Sequence, residues 1–363
     1  MIEKKLYFKL FSNIYITRGY NRSIICDSQF EKIEIIPNNL YEVVENFKGK
    51  NTIEGVIQKY GNSNEETIME YVEFLLDKGW GFLCNEKEFD LFPEIKEKYF
   101  CPYQITNSII ELRSENIEDV LSIVIPQLEF LGCKHINIVF YEVLDKFNIE
   151  LLMKFFIGSI VSSIELVFEY SPLFEEKEFL LYLSKKYERI SQIILFNSPR
   201  ESFQLSNNEL FFHLNYTKKK IESFQSCGKV EPKYFTHSAK SYFESLNYNS
   251  CLHKKISIDI NKKIKNCPAM EKEFGSIYKN KLEDVIRSNN FKKLWKINKD
   301  KINICQDCEF RHICTDCRAY LERPEDIFSK PLKCGYNPYT NEWEDWSKNV
   351  IKQKGIEYYK FEF

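Results

Sequence analysis

Four short apolar runs recur along the middle of the chain at a constant step. SIIEL begins at 108, INIVF at 136, IELVF at 164 and QIILF at 192, each 28 residues after the last. A short continuous apolar run is what a strand buried on both faces requires. Helical patterns lie between them, among them IEDVLSIVIPQLEFLG and EEKEFLLYLSKKYER, and a fifth apolar run, LFFHL, begins at 210. Strand, helix, strand at a fixed step predicts a βα array with right-handed crossovers over residues 91–225. The pattern is compatible with a partial barrel and with an open sheet.

The pattern before residue 91 is different. LYFKLF (6–11), IYIT (14–17), SIIC (23–26) and KIEIIP (32–37) are β-type runs separated by turn residues such as RGYN and CDS. Three helical patterns follow. NNLYEVVENF is expected to start at an Asn cap, and TIEGVIQKYG to end on Gly61. SNEETIMEYVEFLLDKGW carries Ser63 and Glu66 at capping-box spacing. Its Ile68, Tyr71, Val72, Leu75 and Leu76 share one face. Strands followed by three helices predict a small winged-helix-like module over residues 1–90. The third helix is acidic, where a DNA-reading helix would be basic, so nucleic acid is not the expected partner.

After residue 225 the long periodic runs stop and cysteine takes over. Eight of the 12 cysteines lie between Cys227 and Cys334. Cys26, Cys84, Cys101 and Cys133 sit singly among apolar neighbours and are expected to pack as small hydrophobes. No signal-peptide pattern opens the chain, no apolar run approaches the length of a membrane span, and the net charge is −2. The expectation is a soluble, cytoplasmic protein with no membrane partner, where clustered thiols bind metal and do not form disulfides. The densest stretch is CQDCEFRHICTDCRAY, with Cys305, Cys308, Cys314 and Cys317. Paired CxxC thiols reach one metal from a tight turn. Seven or eight such ligands over 110 residues exceed what one four-coordinate zinc takes, and fit two clusters better. His312, inside the C-x5-C loop, is expected beside the site or facing solvent. Glu309 and Arg311 are expected to form a local ion pair.

Three resemblances follow from these residues. TIEGVIQKYGNSNEETIMEYVEFLLDKGW, with the strands before it, resembles a RiPP recognition element. Such modules bind the leader of a ribosomally made peptide as an added strand beside the third helix. A module that only packs against the rest of the chain is the alternative. CLHKKISIDINKKIKNCP, CQDCEFRHICTDCRAY and KPLKCGYNPYT together resemble a SPASM domain, the auxiliary iron–sulfur domain of many radical-SAM peptide maturases. Two positions depart from that pattern. Residue 262 is Lys where the family has Gly, with Asn261 beside it able to take the left-handed turn, and the gap from Cys314 to Cys317 is one residue short. The resemblance implies one [4Fe–4S] cluster on Cys305, Cys308, Cys314 and Cys334, and a second on Cys251, Cys267 and Cys317. Cys227, His253 or an open iron site would complete the second, and zinc is the alternative metal.

The 91–225 array resembles a radical-SAM barrel stripped of its active site. No C-x3-C-x2-C occurs anywhere, and neither RSENIEDVLSIVIP after the first strand nor YEVLDKF after the second offers a cysteine triplet or a Gly-Gly. S-adenosylmethionine is therefore not an expected cofactor. Fold class is expected to be α/β: recognition element, degenerate radical-SAM-like partial βα barrel, and SPASM domain over 226–363. That combination resembles the SPASM-domain peptide maturase of the grasp-with-spasm system. It implies a ribosomal precursor peptide and an ATP-grasp ligase as partners, the ATP chemistry belonging to the ligase because this chain has no Gly-rich phosphate loop. The alternative is an iron–sulfur enzyme acting on the peptide through the incompletely ligated cluster. No catalytic residue is assigned.

Overall fold

The computed structural model describes residues 2–93, 95 and 99–361. The N-terminal strands are β1 (Tyr7–Leu10), β2 (Ile14–Arg18), β3 (Arg22–Asp27) and β4 (Lys32–Pro37). Helices α1 (Asn38–Lys48), α2 (Ile53–Tyr60) and α3 (Glu65–Asp77) follow, then β5 (Gly81–Cys84) and a short α4 (Glu86–Phe89). β2, β3 and β4 form an antiparallel sheet, and β5 returns to pair with β1. Ile14, Ile16, Ile25 and Ile36 bury one face of the strands against α1–α3, where Val44, Phe47, Val72 and Leu75 complete a core.

Two caps differ from expectation. Pro37, not an Asn, occupies the N-cap of α1. Asn38 instead donates to the carbonyls of Gly19 and Tyr20 and accepts from Ser23 Oγ at 2.6 Å, so it ties the β2–β3 turn. A 3₁₀ turn over Asn62–Asn64 precedes α3, whose N-cap is Asn64 without a side-chain bond, and the Ser63–Glu66 box does not form. Gly61 ends α2 as expected, at φ +92°.

The central sheet uses β6 (Asn107–Leu112), β7 (His135–Val143), β8 (Ser163–Glu169) and β9 (Ile190–Phe196). α5 (Ile117–Phe130), α6 (Lys146–Lys154) and α7 (Lys177–Lys186) alternate with them. β10 (Ser202–Gln204), β11 (His213–Tyr216) and α8 (Ala239–Asn247) come next, before β12 (Lys255–Ile258), β13 (Ile264–Lys265) and α9 (Leu282–Arg287). Among the described residues these strands order as β10-β11-β9-β8-β7-β6-β12-β13, parallel except for the two edge strands. Asn107, His135 and Ser163 lie in one rung, so the sequence step is the strand register itself. The ladder runs open from edge to edge. The sheet also extends past residue 225, because β12 from the cysteine-rich region pairs onto β6, and β13 onto β12.

Side-chain alternation assigns the two faces. Ile110, Leu112, Ile138, Phe140, Leu166 and Phe168 pack on α5, α6, α7 and α9. Val139, Val167 and Phe196 form a small apolar cluster on the other face, beside the polar Glu111 and Asn137. The remaining chain is mostly 3₁₀ turns and loops, with β14 (Tyr336–Asn337), β15 (Glu342–Trp343) and α10 (Gln353–Tyr358). No helix among the described residues is long and apolar enough to cross a membrane.

Candidate metal centres and their junction with the N-terminal module

The eight clustered cysteines separate into two groups in space. Cys305, Cys308, Cys314 and Cys334 line one small cavity with Lys299, Phe235, Phe310 and Tyr336. Cys308 feels the charges of Cys305, Cys314 and Cys334. The other group is Cys227, Cys251, Cys267 and Cys317, whose thiols act on one another electrostatically. Burial pushes the free thiols of Cys305 and Cys317 up to about 12. Deprotonating such thiols requires a positive partner, which a metal supplies.

Cys227 and His253, the two side chains expected beside an open iron site as ways to complete the second group, have different surroundings. Cys227 is exposed, and the backbone just after it runs against the group. A Cβ added at Gly228 would come within 2.9 Å of Cys317 Sγ, and φ there is +85°. His253 is buried and engaged elsewhere. Its Nδ1 meets Glu244 Oε1 at 2.6 Å and its ring stacks on Tyr248 at 3.8 Å. Each group also holds a lysine. Lys255 Nζ donates to Cys251 Sγ at 3.4 Å and Lys299 Nζ to Cys314 Sγ at 3.2 Å. Burial would lower both ammonium groups, but the surrounding thiols outweigh it and hold them charged.

The donor chemistry fits iron–sulfur binding. No three His, Cys, Asp or Glu side chains among the described residues converge on one point that a lone metal ion would occupy. Thiolate sets of this kind suit a multi-iron cluster and a tetrahedral zinc alike. The backbone carries two strained positions here. Lys262, not Asn261, takes the left-handed conformation at φ +62°, at the position where the resembled family has Gly. Ile304, immediately before Cys305, sits at φ +69°, which a β-branched residue adopts only under constraint.

Sequence reasoning missed how the first group is held. Glu309 and Arg311 do not pair with each other. Glu309 binds Arg22 Nε of β3 at 2.7 Å and accepts from Tyr336 Oη at 2.5 Å, while Arg311 binds Asp300 at 2.8 Å and donates to the carbonyl of Arg18. The Tyr20 N–H donates to the Asp307 carbonyl at 2.8 Å, between two cysteines of the group. Gly19 is needed at this junction, because a Cβ would meet Glu309 N at 2.8 Å. The β2–β3 turn therefore grips the cysteine loop. Tyr15 stacks on Tyr242 at 4.4 Å, and Ile24 and Cys26 pack with Phe310, Ile313 and Tyr336. His312 is buried, not solvent-facing, with its carbonyl accepting from Ser245 Oγ at 2.9 Å. Burial and then Arg311 lower its imidazole to about 4, so it is neutral. Of the scattered cysteines, Cys26, Cys84 and Cys133 are buried and Cys101 is half-buried.

β4 is the one strand of the N-terminal three-stranded sheet left with a free edge among the described residues. β3 covers its inner side, and the opposite edge of the sheet, on β2, is occupied by Tyr242 and Arg311. α3 flanks the free edge: Lys78, just past the helix, pairs with Glu34 of β4 at 2.9 Å and lies over Phe74 and Trp80.

No family model matches this chain and no curated protein is similar to it. Among solved structures it is similar to Streptococcus suis SuiB bound to S-adenosylmethionine. Identity is 11%, the match covers 91% of this chain and 98% of that one, and the TM-score is 0.39. In this chain the turn after β6 holds Arg113 and a 3₁₀ turn over Ser114–Asn116, with no cysteine.

Proposed function

We propose that this chain is a peptide-maturation protein of a grasp-with-spasm pathway, which captures a ribosomal precursor peptide and presents it to an ATP-grasp ligase. The observation that carries the reading is the free β4 edge beside α3. An extended leader adding there would gain backbone hydrogen bonds along the strand, with α3 supplying side-chain contacts. Cys305, Cys308, Cys314 and Cys334 would hold one [4Fe–4S] cluster, and Cys227, Cys251, Cys267 and Cys317 another. The clusters would supply rigid cross-links and a one-electron couple. S-adenosylmethionine has no place in this reading, because no C-x3-C-x2-C exists to hold its cluster. Unpaired thiols suit a reducing, cytoplasmic setting.

A second reading has its own observation. Cys227 is exposed where the other members of its group are not, so that corner of a cluster could open to a substrate group and act on the peptide directly.

The deciding experiment is a titration of the small peptide encoded beside this chain's gene. Saturable binding that survives deletion of the peptide's C-terminal portion supports leader capture. No binding at millimolar peptide overturns it.

A further inference from the structure

A cavity of about 1040 Å³ opens where the C-terminal ends of β6 and β7 meet the cysteine-rich region. Glu111 of β6, Tyr141 of β7 and Asp259 after β12 stand on one wall, and Arg318 and Tyr320, just past Cys317, on another. This is the end of a parallel sheet where ligands ordinarily sit. Glu111 is 7% exposed. Its carboxylate accepts the Tyr141 hydroxyl and the Ile260 N–H, the latter at 3.0 Å. Asp259 beside it is neutralised by Lys265 at 2.9 Å. Glu111 has no Lys, Arg or His within ion-pair distance among the described residues.

A carboxylate holds about four lone-pair sites, and two of those on Glu111 are used. Burial lifts its carboxyl above the ordinary value, with Tyr141 offsetting part of the rise. An incoming cation would remove that penalty. Arg318 is 4% exposed, and its Nη1 donates to the carbonyls of Ile327 and Ser329. Its Nη2 faces Asp316 at 2.7 Å, while its Nε has no hydrogen-bond partner. The cavity thus offers a buried acceptor lacking a cation, with a buried guanidinium in its other wall.

We propose that this cavity binds a peptide segment through a primary amine, with Glu111 receiving the ammonium and Arg318 donating to a peptide carbonyl. The proposal rests on the peptide-maturation reading and names the chemistry of the substrate side chain. The amine is a lysine side chain or a peptide N-terminus.

The test uses the full chain with its metal and three probes. One is a blocked Ala-Ala-Lys-Ala-Ala peptide, one its norleucine counterpart, and one a penta-alanine with a free N-terminus. The lysine peptide should bind at least tenfold more tightly than the norleucine peptide, and Glu111→Gln should erase the difference while leaving iron content unchanged. A free N-terminus binding best would assign the amine to the chain start and still support the proposal. Equal binding of the lysine, norleucine and free-N-terminus peptides to the unaltered protein, or no binding of either amine probe, overturns it. That comparison stands even if Glu111→Gln does not fold. Leader-peptide titration against the same protein separates the two readings: leader binding without amine selectivity sinks this proposal alone.

Discussion

Cys227 carries the sharpest residue-level consequence. It lies with Cys251, Cys267 and Cys317, whereas His253 is held by Glu244 and Tyr248. Cys227→Ser should therefore lower the iron content of anaerobically purified protein by up to about half. His253→Gln should leave iron unchanged, and the reverse pattern would refute the assignment. Glu165, on β8, gives a pH signature of its own. Burial raises its carboxyl above the ordinary 4.5, and Asn137 offsets part of this. The folded chain then holds this proton more tightly than the unfolded chain. The stability it contributes is present at low pH and is lost as pH rises through the raised value. Glu165→Gln should flatten that decline, read from denaturant midpoints between pH 5 and 8, and an unchanged slope would remove the assignment. At the residue scale, the crowding of the thiols into the C-terminal third was legible in the sequence, and the fold gathers them into two groups. Residue-level chemistry was illegible where a long-range partner decides. Nothing local marks Glu309 as the ligand of Arg22, 287 residues away, or Ile304 as a strained position. At residue 262 the turn was visible, but the neighbour was assigned the left-handed backbone.

At the scale of elements, the strands of the central sheet were readable because a buried parallel strand writes itself as an uninterrupted apolar run, and the repeat places the runs in register. Helix ends were read less well. Pro37 displaced Asn38 from its cap, since the Asn38 side chain bonds the β2–β3 turn instead, and a 3₁₀ turn over Asn62–Asn64 took up Ser63. The fifth run, LFFHL, becomes a strand only from His213, with Phe212 buried ahead of it. β4 yields a prediction of its own. Successive N–H groups in a strand point to opposite sides, so of Glu34→Pro and Ile35→Pro one strikes the free edge and the other the β3 ladder. One variant should lose peptide binding with little change in thermal stability. The other should lose about 1–3 kcal/mol, the typical cost of a broken buried hydrogen bond. Two variants that both bind the peptide normally would exclude strand addition at β4.

At the scale of the molecule, the N-terminal sheet is sandwiched between its own helices and the cysteine-rich region, so the state of the proposed metal should reach the N-terminal module. Oxidative loss of iron would loosen the 305–317 loop, on which the Tyr20 amide depends for its hydrogen-bond acceptor. Hydrogen exchange at Tyr20 should then accelerate by at least about tenfold, equivalent to roughly 1.4 kcal/mol of lost protection. Protection that survives complete iron removal would mean that the junction stands without the metal.

The grip of the β2–β3 turn on residues 307–311 also has a consequence for biogenesis. On the ribosome, β2 and β3 emerge nearly three hundred residues before Glu309 does. At a synthesis rate of about 5–20 residues per second, that separation lasts on the order of 15–60 s. Throughout it, Tyr15, Ile24 and Cys26 present an uncovered apolar sheet face. A nascent chain in that state is a natural client for chaperones. On the proposed iron–sulfur reading, iron delivery in the cell would follow translation, when the loop that would receive the metal closes the face that was waiting for it.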